Sequence, residues 1–173
     1  ARVDEAAPVD AGDAPLRRIS KLVLIMLFGA PGTGKSTYAR YLSTKLNVPW
    51  ISTGNVFREI SQTDARIKAI LDSGQLLPDG EVDQIIFQKL ATTAGNFILD
   101  GFPRTIGQAE TFTQFLTKQD WKIDHIFHLS VPVAVIVERM LSRGRADDTP
   151  ETVKKRFEVF EAETKPVINF FEQ

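Results

Sequence analysis

Residues 29–36 read Gly-Ala-Pro-Gly-Thr-Gly-Lys-Ser and fit the pattern G-x-x-x-x-G-K-[ST]. What makes the match informative is its setting. The apolar run of residues 22–28 precedes it, and a stretch with helical character follows from Ser36 to about residue 46. A strand, a glycine loop and a helix in that order form a phosphate cradle, because the glycines let backbone N–H groups turn inward and the helix N-terminus adds partial positive charge. Gly29, Ala30, Pro31, Gly32, Thr33, Gly34, Lys35, Ser36 and Thr37 are therefore the candidate nucleoside-triphosphate residues. Lys35 is expected to reach the β- and γ-phosphates, and Ser36 to place its hydroxyl on Mg²⁺.

The rest of the chain supports an α/β fold built on a mainly parallel sheet. Strands are expected over residues 22–28, 49–52, 96–100 and 126–131, and helical patterns alternate with them. Residues 54–77 read as mostly helical, with a break near Thr63 and Asp64 and a stop at Gly74. Val82, Ile85, Ile86 and Leu90 fall at helical spacing, as do Val133, Ile136, Val137, Met140 and Leu141. Gly144 ends that second helix. Thr149 and Pro150 open the last one as cap and first-turn residue, and Pro166 breaks or bends it.

Composition sets limits. The 173 residues suit one domain with a small inserted lobe. Lys plus Arg number 21 against 22 Asp plus Glu, a net charge of -1 that gives no global reason to expect nucleic acid or an anionic membrane. The chain has no cysteine, which excludes disulfides, thiolate metal sites and a Cys nucleophile. Its longest apolar run is far too short to span a bilayer, so no membrane insertion is expected. Residues 1–20 lack a periodic apolar face and read as a flexible leader. The Ala1 start is compatible with removal of a mitochondrial or plastid targeting segment; otherwise the expected compartment is the cytoplasm.

A second motif is Asp100-Gly101-Phe102-Pro103-Arg104, at the end of the apolar run 97–99. Asp100 stands at the carboxyl end of an expected parallel strand, where such folds place ligands. It can hold water in a magnesium shell. Gly101 permits close approach of a base or ribose, and Arg104 can fork onto phosphate. Arg139 and Arg143 are four apart and share a helical face, where like charges repel by about 0.2–0.5 kcal/mol unless an anion lies between them. A solvated surface charge is the bland reading of any one arginine, and for Arg139 alone it wins. Taken with Arg104, Arg145 and Arg156 it does not. His125 and His128, three apart around a strand, point to different faces and read as structural or exposed. Lys154 and Lys155 read as a solvated helix edge, and Phe170 and Phe171 as core or interface.

In these residues the chain resembles the adenylate kinase branch of the nucleoside monophosphate kinases. GAPGTGKST at 29–37 is similar to that family's phosphate loop, and FILDGFPRT at 97–105 to its signature. The segment 51–58 resembles a monophosphate-binding S-T-G-D-x-x-R stretch, residues 74–78 match the end of the monophosphate lobe, and residues 143–149 resemble a very short lid. The resemblance covers about residues 22–171 and implies a P-loop NTPase fold with helices on both faces of the sheet. It also implies ATP, AMP and Mg²⁺ as ligands, a monophosphate lobe at 53–78, and a lid at 143–149.

The same resemblance implies the residue roles. Thr53, Gly54, Arg58, Leu77, Gly101, Arg104 and Gln108 would bind AMP, with Arg58 and Arg104 on its phosphate and Gln108 on the adenine edge. Lys35, Arg104, Arg139, Arg143, Arg145 and Arg156 would surround the transferring phosphoryl group. Asp147 and Asp148 would help close the lid. Ser36 and, through water, Asp100 would serve the metal.

The sequence departs from the family pattern at four points. Asn55 replaces the usual Asp after S-T-G, Ser36 replaces the usual Gly after the loop lysine, and the stretch from Arg58 to Gly74 is short. The sequence also stops at Gln173, where the family continues into a further strand and helix, so a bare sheet edge is expected, covered either by a protein partner or by residues beyond Gln173. Two other readings stay open: a UMP/CMP kinase, which Thr105 and Gln108 argue against, and a non-catalytic kinase fold serving as a subunit of a larger assembly.

Overall fold

The computed structural model describes residues 22–142, 144–145 and 148–172. The leader expected at 1–20 lies outside them, as do Arg143 and Asp147. The elements run β1 (Leu24–Phe28), α1 (Lys35–Leu46), β2 (Trp50–Ser52), α2 (Thr53–Ile60), α3 (Ala65–Asp72), α4 (Asp79–Ala91), β3 (Phe97–Asp100), α5 (Ile106–Gln119), β4 (His125–His128), α6 (Val133–Ser142), α7 (Pro150–Val159), a π-helical turn (Phe160–Thr164) and α8 (Lys165–Glu172). The sheet is parallel throughout, in the order β2-β3-β1-β4.

β1 is apolar at every position because both its faces are covered. Leu24, Met26 and Phe28 join the larger core with residues such as Ile86, Leu90 and Phe112. Ile25 and Leu27 turn the other way, onto Ala39, Val48 and Ile98. β3 is buried at all four positions for the same reason. Among the described residues β4 pairs only with β1, and its four residues are exposed. The strand expected at 126–131 is thus shorter and begins one residue earlier, with the chain leaving the sheet before Val131. His125 stacks loosely on Phe127 at the sheet edge, 6.0 Å between ring centroids.

Local chemistry sets the helix limits. Asp64 accepts from the N–H groups of Arg66 and Ile67, which caps α3 and accounts for the break between α2 and α3. The Thr149 hydroxyl accepts from the N–H of Thr152, with Pro150 in the first turn of α7. Pro166 does not end the last helix. It lacks an N–H, and its ring clashes with the carbonyl four residues back. The chain absorbs this one turn earlier as the π-helical stretch, where the N–H of Lys165 donates to the carbonyl of Phe160, and α8 then continues. Phe171 of α8 packs on Phe28, 6.0 Å between centroids, so the Phe170–Phe171 pair belongs to the core. Among the described residues no helix is long and apolar enough to cross a membrane.

Met26, fully buried at the centre of β1, tests this core. Met26→Ala is expected to destabilise by about 2–5 kcal/mol, because the side chain leaves a cavity that a central strand does not close. The shift of the urea unfolding midpoint reads it.

Candidate active site

Three parallel strands end side by side, and their carboxyl ends build the site. Leu27 pairs with Asp100, and Ser52 pairs with Asp100 from the other side. The loop after β1, the start of α2 and the Asp100–Arg104 segment are thereby brought to one rim.

Residues 29–34 leave β1 and wrap toward the N-terminus of α1. Gly29 has φ +146°, and a Cβ there would lie 2.5 Å from the carbonyl oxygen of Leu129, so only glycine fits between β1 and the chain leaving β4. The Thr33 hydroxyl donates to the Ala30 carbonyl at 2.9 Å and braces the loop. Lys35 Nζ donates to the carbonyls of Gly29 (2.7 Å) and Ala30 (2.9 Å), so the lysine folds back over its own loop. The Ser36 hydroxyl donates to Asp100 Oδ2 at 2.7 Å. This joins the two sequence motifs.

On the other side of the rim, Thr53 Oγ1 donates to the Asp100 carbonyl at 3.2 Å. Arg58 Nη2 donates to Asn55 Oδ1 at 2.7 Å. Asn in place of Asp keeps an acceptor for Arg58 while giving up an ion pair. Arg104 Nε donates to the Gly101 carbonyl at 2.7 Å. Gly101 has φ +82°, and a Cβ there would lie 3.1 Å from the Arg104 guanidinium, so glycine lets the arginine curl over it. Burial and the nearby Arg156 lower the pKa of Arg104 from its ordinary value, burial most, and Asp100 offsets part of this. Arg156 is held at both ends of its guanidinium: Nη1 pairs with the buried Asp148 at 2.8 Å and Nη2 donates to the Leu71 carbonyl at 3.2 Å. Lys154 and Lys155, its neighbours, are exposed on the helix edge.

These groups line one open cleft of about 370 Å³. Of the residues expected from the sequence, Gly29, Pro31, Gly32, Gly34, Lys35, Ser36, Thr37, Thr53, Gly54, Arg58, Leu77, Asp100, Gly101, Arg104, Gln108, Arg139, Arg145 and Arg156 all border it. Ala30 and Thr33 do not; they are buried beneath the loop as its supports. Arg143 lies outside the described residues. Gln108 is 1% exposed, and both ends of its amide are engaged: Oε1 accepts from the Arg104 N–H and Nε2 donates to Asp79 Oδ1, each at 2.8 Å. Sequence reasoning did not find Asp79, the Leu71 carbonyl, or Thr152, whose hydroxyl donates to the Asp72 carbonyl at 3.0 Å. Backbone carbonyls leave no sequence signal. An acid in the first turn of a helix reads as an ordinary dipole partner.

Behind the cleft, Asp83 is buried, and its Oδ1 has no hydrogen-bond partner among the described residues. Burial first, then the like charge of Asp79 four residues earlier, raises its pKa to about 6, with the Thr111 hydroxyl opposing. Among the described residues no group of three His, Cys, Asp or Glu side chains could hold a metal ion. The donor set at the rim is instead one hydroxyl and one carboxylate, Ser36 and Asp100. That fits Mg²⁺, which keeps much of its water and takes further oxygens from phosphates.

A glycine loop at a strand–helix junction, a hydroxyl–carboxylate pair beside it and arginines converging on the same cleft define a P-loop phosphotransferase. Comparison with known proteins narrows the class. Residues 27–173 match the family model described as adenylate kinase. The chain is 42% identical over 154 residues to the adenylate kinase of Corynebacterium urealyticum, covering 86% of this chain and 85% of the relative. It is 39% identical over 153 residues to the adenylate kinase of Rhodococcus erythropolis (85% and 84%) and 38% identical over 154 residues to that of Mycobacterium ulcerans (86% and 85%). The chain belongs to the adenylate kinase family.

Asp83 gives a test that is independent of nucleotides. Its folded pKa stands above the unfolded value, so the folded state binds more protons between about pH 4 and 6. Its contribution to stability therefore falls as pH rises through that window. Asp83→Asn is expected to raise the unfolding midpoint at pH 7.5 and to flatten the pH dependence of stability between pH 4 and 6, as read by urea titrations across that range.

Proposed function

We propose that the chain is a working adenylate kinase that transfers the γ-phosphoryl group of ATP to AMP and yields two ADP. The observation that carries this reading is the single rim on which Lys35, the Ser36–Asp100 pair, Arg104, Arg156 and Gln108 meet. The match of residues 27–173 to the adenylate kinase family points the same way.

The reaction asks little covalent work of the protein. It needs the acceptor oxygen in line with the γ-phosphorus and the charge on the equatorial oxygens neutralised. Residues 29–37 would hold the ATP phosphates. Lys35, which donates to the carbonyls of Gly29 and Ala30, would exchange these for phosphate oxygens. Ser36, and Asp100 through water, would hold Mg²⁺, whose charge would neutralise phosphate oxygens. Thr53, Gly54, Arg58, Leu77 and Gly101 would form the acceptor side, with Arg58 and Arg104 on the AMP phosphate and Gln108 against the base. Arg139, Arg143, Arg145 and Arg156 would close on the phosphoryl group from the opposite side.

We assign residues 53–78 as the monophosphate lobe and residues 143–149 as the lid. Thr152, in the first turn of α7, and Arg156, in its last turn, hold the end of α3 through the carbonyls of Asp72 and Leu71. The helix that follows the lid is thus tied directly to the lobe. Closing lid and lobe excludes water that would otherwise hydrolyse the γ-phosphate.

Formation of ADP from ATP with AMP, UMP or CMP as acceptor in the presence of Mg²⁺ tests the reading. AMP is expected to be the strongly preferred acceptor; equal or better turnover with UMP or CMP would move the chain to the pyrimidine branch. Lys35→Ala is expected to lower turnover about 100-fold or more with the unfolding midpoint retained. Near-normal rates in that variant would remove the phosphate loop from the chemistry.

A further inference from the structure

Asp79 stands at the first position of α4, half-buried, and spends both carboxylate oxygens on the N-terminal turn of α5. Oδ2 accepts from the Thr105 hydroxyl at 2.7 Å, and Oδ1 accepts from Gln108 Nε2 at 2.8 Å. The Thr105 hydroxyl in turn accepts from the Gln108 backbone N–H at 3.1 Å, which caps α5. On the far end of the Gln108 amide, Oε1 accepts from the Arg104 backbone N–H at 2.8 Å.

The chemistry of these partners allows one orientation of that amide. A carboxylate only accepts and a backbone N–H only donates. If the amide turned over, Gln108 Oε1 would face Asp79 Oδ1 and Nε2 would face the Arg104 N–H. Two acceptors would then oppose each other at one end and two donors at the other. In a group 1% exposed, water cannot repair either mismatch. What remains to Gln108 is one N–H on Nε2 and one lone pair on Oε1, in a fixed order.

We propose that Asp79 is a positioning residue that locks the Gln108 amide in the order that selects amino-type bases over oxo-type bases. The inference rests on the reading of Gln108 as the base contact. Adenine offers an amino donor beside a ring-nitrogen acceptor. This is complementary to an amide held with its oxygen and its N–H in one sense. Hypoxanthine has the same size and shape, but a carbonyl replaces the amino group and an N–H replaces the ring acceptor, so both polarities are reversed. An unlocked glutamine could turn its amide over and serve either base. A locked one leaves both mismatches in place with IMP. Specificity then comes from the mismatch that the lock preserves as much as from the match it offers.

The test compares AMP with IMP as acceptor, through kcat/KM and through direct calorimetric binding, in the wild type, Asp79→Asn and Gln108→Leu. In Asp79→Asn the side chain can offer Thr105 its oxygen and turn an NH₂ toward Gln108, which removes the obligatory acceptor. The AMP-to-IMP ratio is expected to fall by about 10- to 100-fold in Asp79→Asn, the range that one unmatched buried hydrogen bond spans. Gln108→Leu is expected to lower the ratio as well. A ratio that falls in Gln108→Leu and stays within twofold of wild type in Asp79→Asn overturns the lock and leaves the base contact standing. A ratio unchanged in Gln108→Leu overturns the base contact, and the lock with it. An equal loss toward AMP and IMP in Asp79→Asn makes Asp79 merely structural and also overturns the proposal. A measurement on the wild type does not depend on how the variant folds. The Gln108 Nε2 proton that donates to Asp79, assigned by its disappearance in Gln108→Leu, is expected to exchange slowly with water in the free protein, and its geminal partner faster. Fast exchange of both protons would show that the bond to Asp79 is not held and would defeat the proposal.

Discussion

The register of β1 against β3 is the constraint on which the site depends. With Leu27 opposite Asp100, and Ser52 opposite Asp100 on the other side, the three strands finish at one level. A register is discrete. Slipping β3 by one residue would turn Phe97 and Leu99 out of the larger core and move Asp100 away from Ser36. The apolar runs that bury β1 and β3 therefore do more than stabilise the sheet. They fix the 2.7 Å contact between a loop hydroxyl and a strand-end carboxylate some sixty residues apart in the chain.

Much of this was legible before the structure. The phosphate loop announces itself because its residue types are forced by geometry: Gly29 sits where any Cβ would meet the Leu129 carbonyl. The Asp100–Arg104 segment was legible through a glycine read as room for a base or ribose, whereas in the structure Gly101 has φ +82° and the group lying over it is the guanidinium of Arg104. Less legible were contacts made between elements distant in sequence. Asn55 reads as a conservative replacement, and only the fold shows its amide oxygen receiving Arg58. Asp79 carries no signature, because the partners that give it meaning, Thr105 and Gln108, lie on another helix. The π-helical turn before Pro166 was hidden because a proline announces a disruption without saying which turn will absorb it.

The electrostatics of the cleft follow from crowding arginines around a space meant for anions. Arg104 is the clearest case: burial and Arg156 both work against its charge, and Asp100 only partly compensates. Four of the cations are meanwhile lent a neutral or acidic partner. Lys35 rests on loop carbonyls, Arg58 on an amide, Arg104 on the Gly101 carbonyl, and Arg156 on Asp148 and the Leu71 carbonyl. Carbonyl and amide oxygens make modest partners for a cation, and a phosphate oxygen is a stronger one. Such an arrangement keeps the cations solvated by the protein until a ligand with more charge displaces the placeholders.

The residues proposed for base selection and for phosphate binding meet in the same backbone segment. The Arg104 N–H orients Gln108, while the Arg104 side chain curls over Gly101 toward the phosphate side of the cleft. In the proposed reading, one residue would thus serve two ends of the same acceptor nucleotide through two different atoms. The carboxylate of Asp79 closes the arrangement from behind by tying the first turn of α4 to that of α5. A shift of α5 relative to β3 would move the base contact and the phosphate contact together. The proposed acceptor pocket is therefore a set of contacts tied to one another through hydrogen bonds, rather than separate binding residues each tuned on its own.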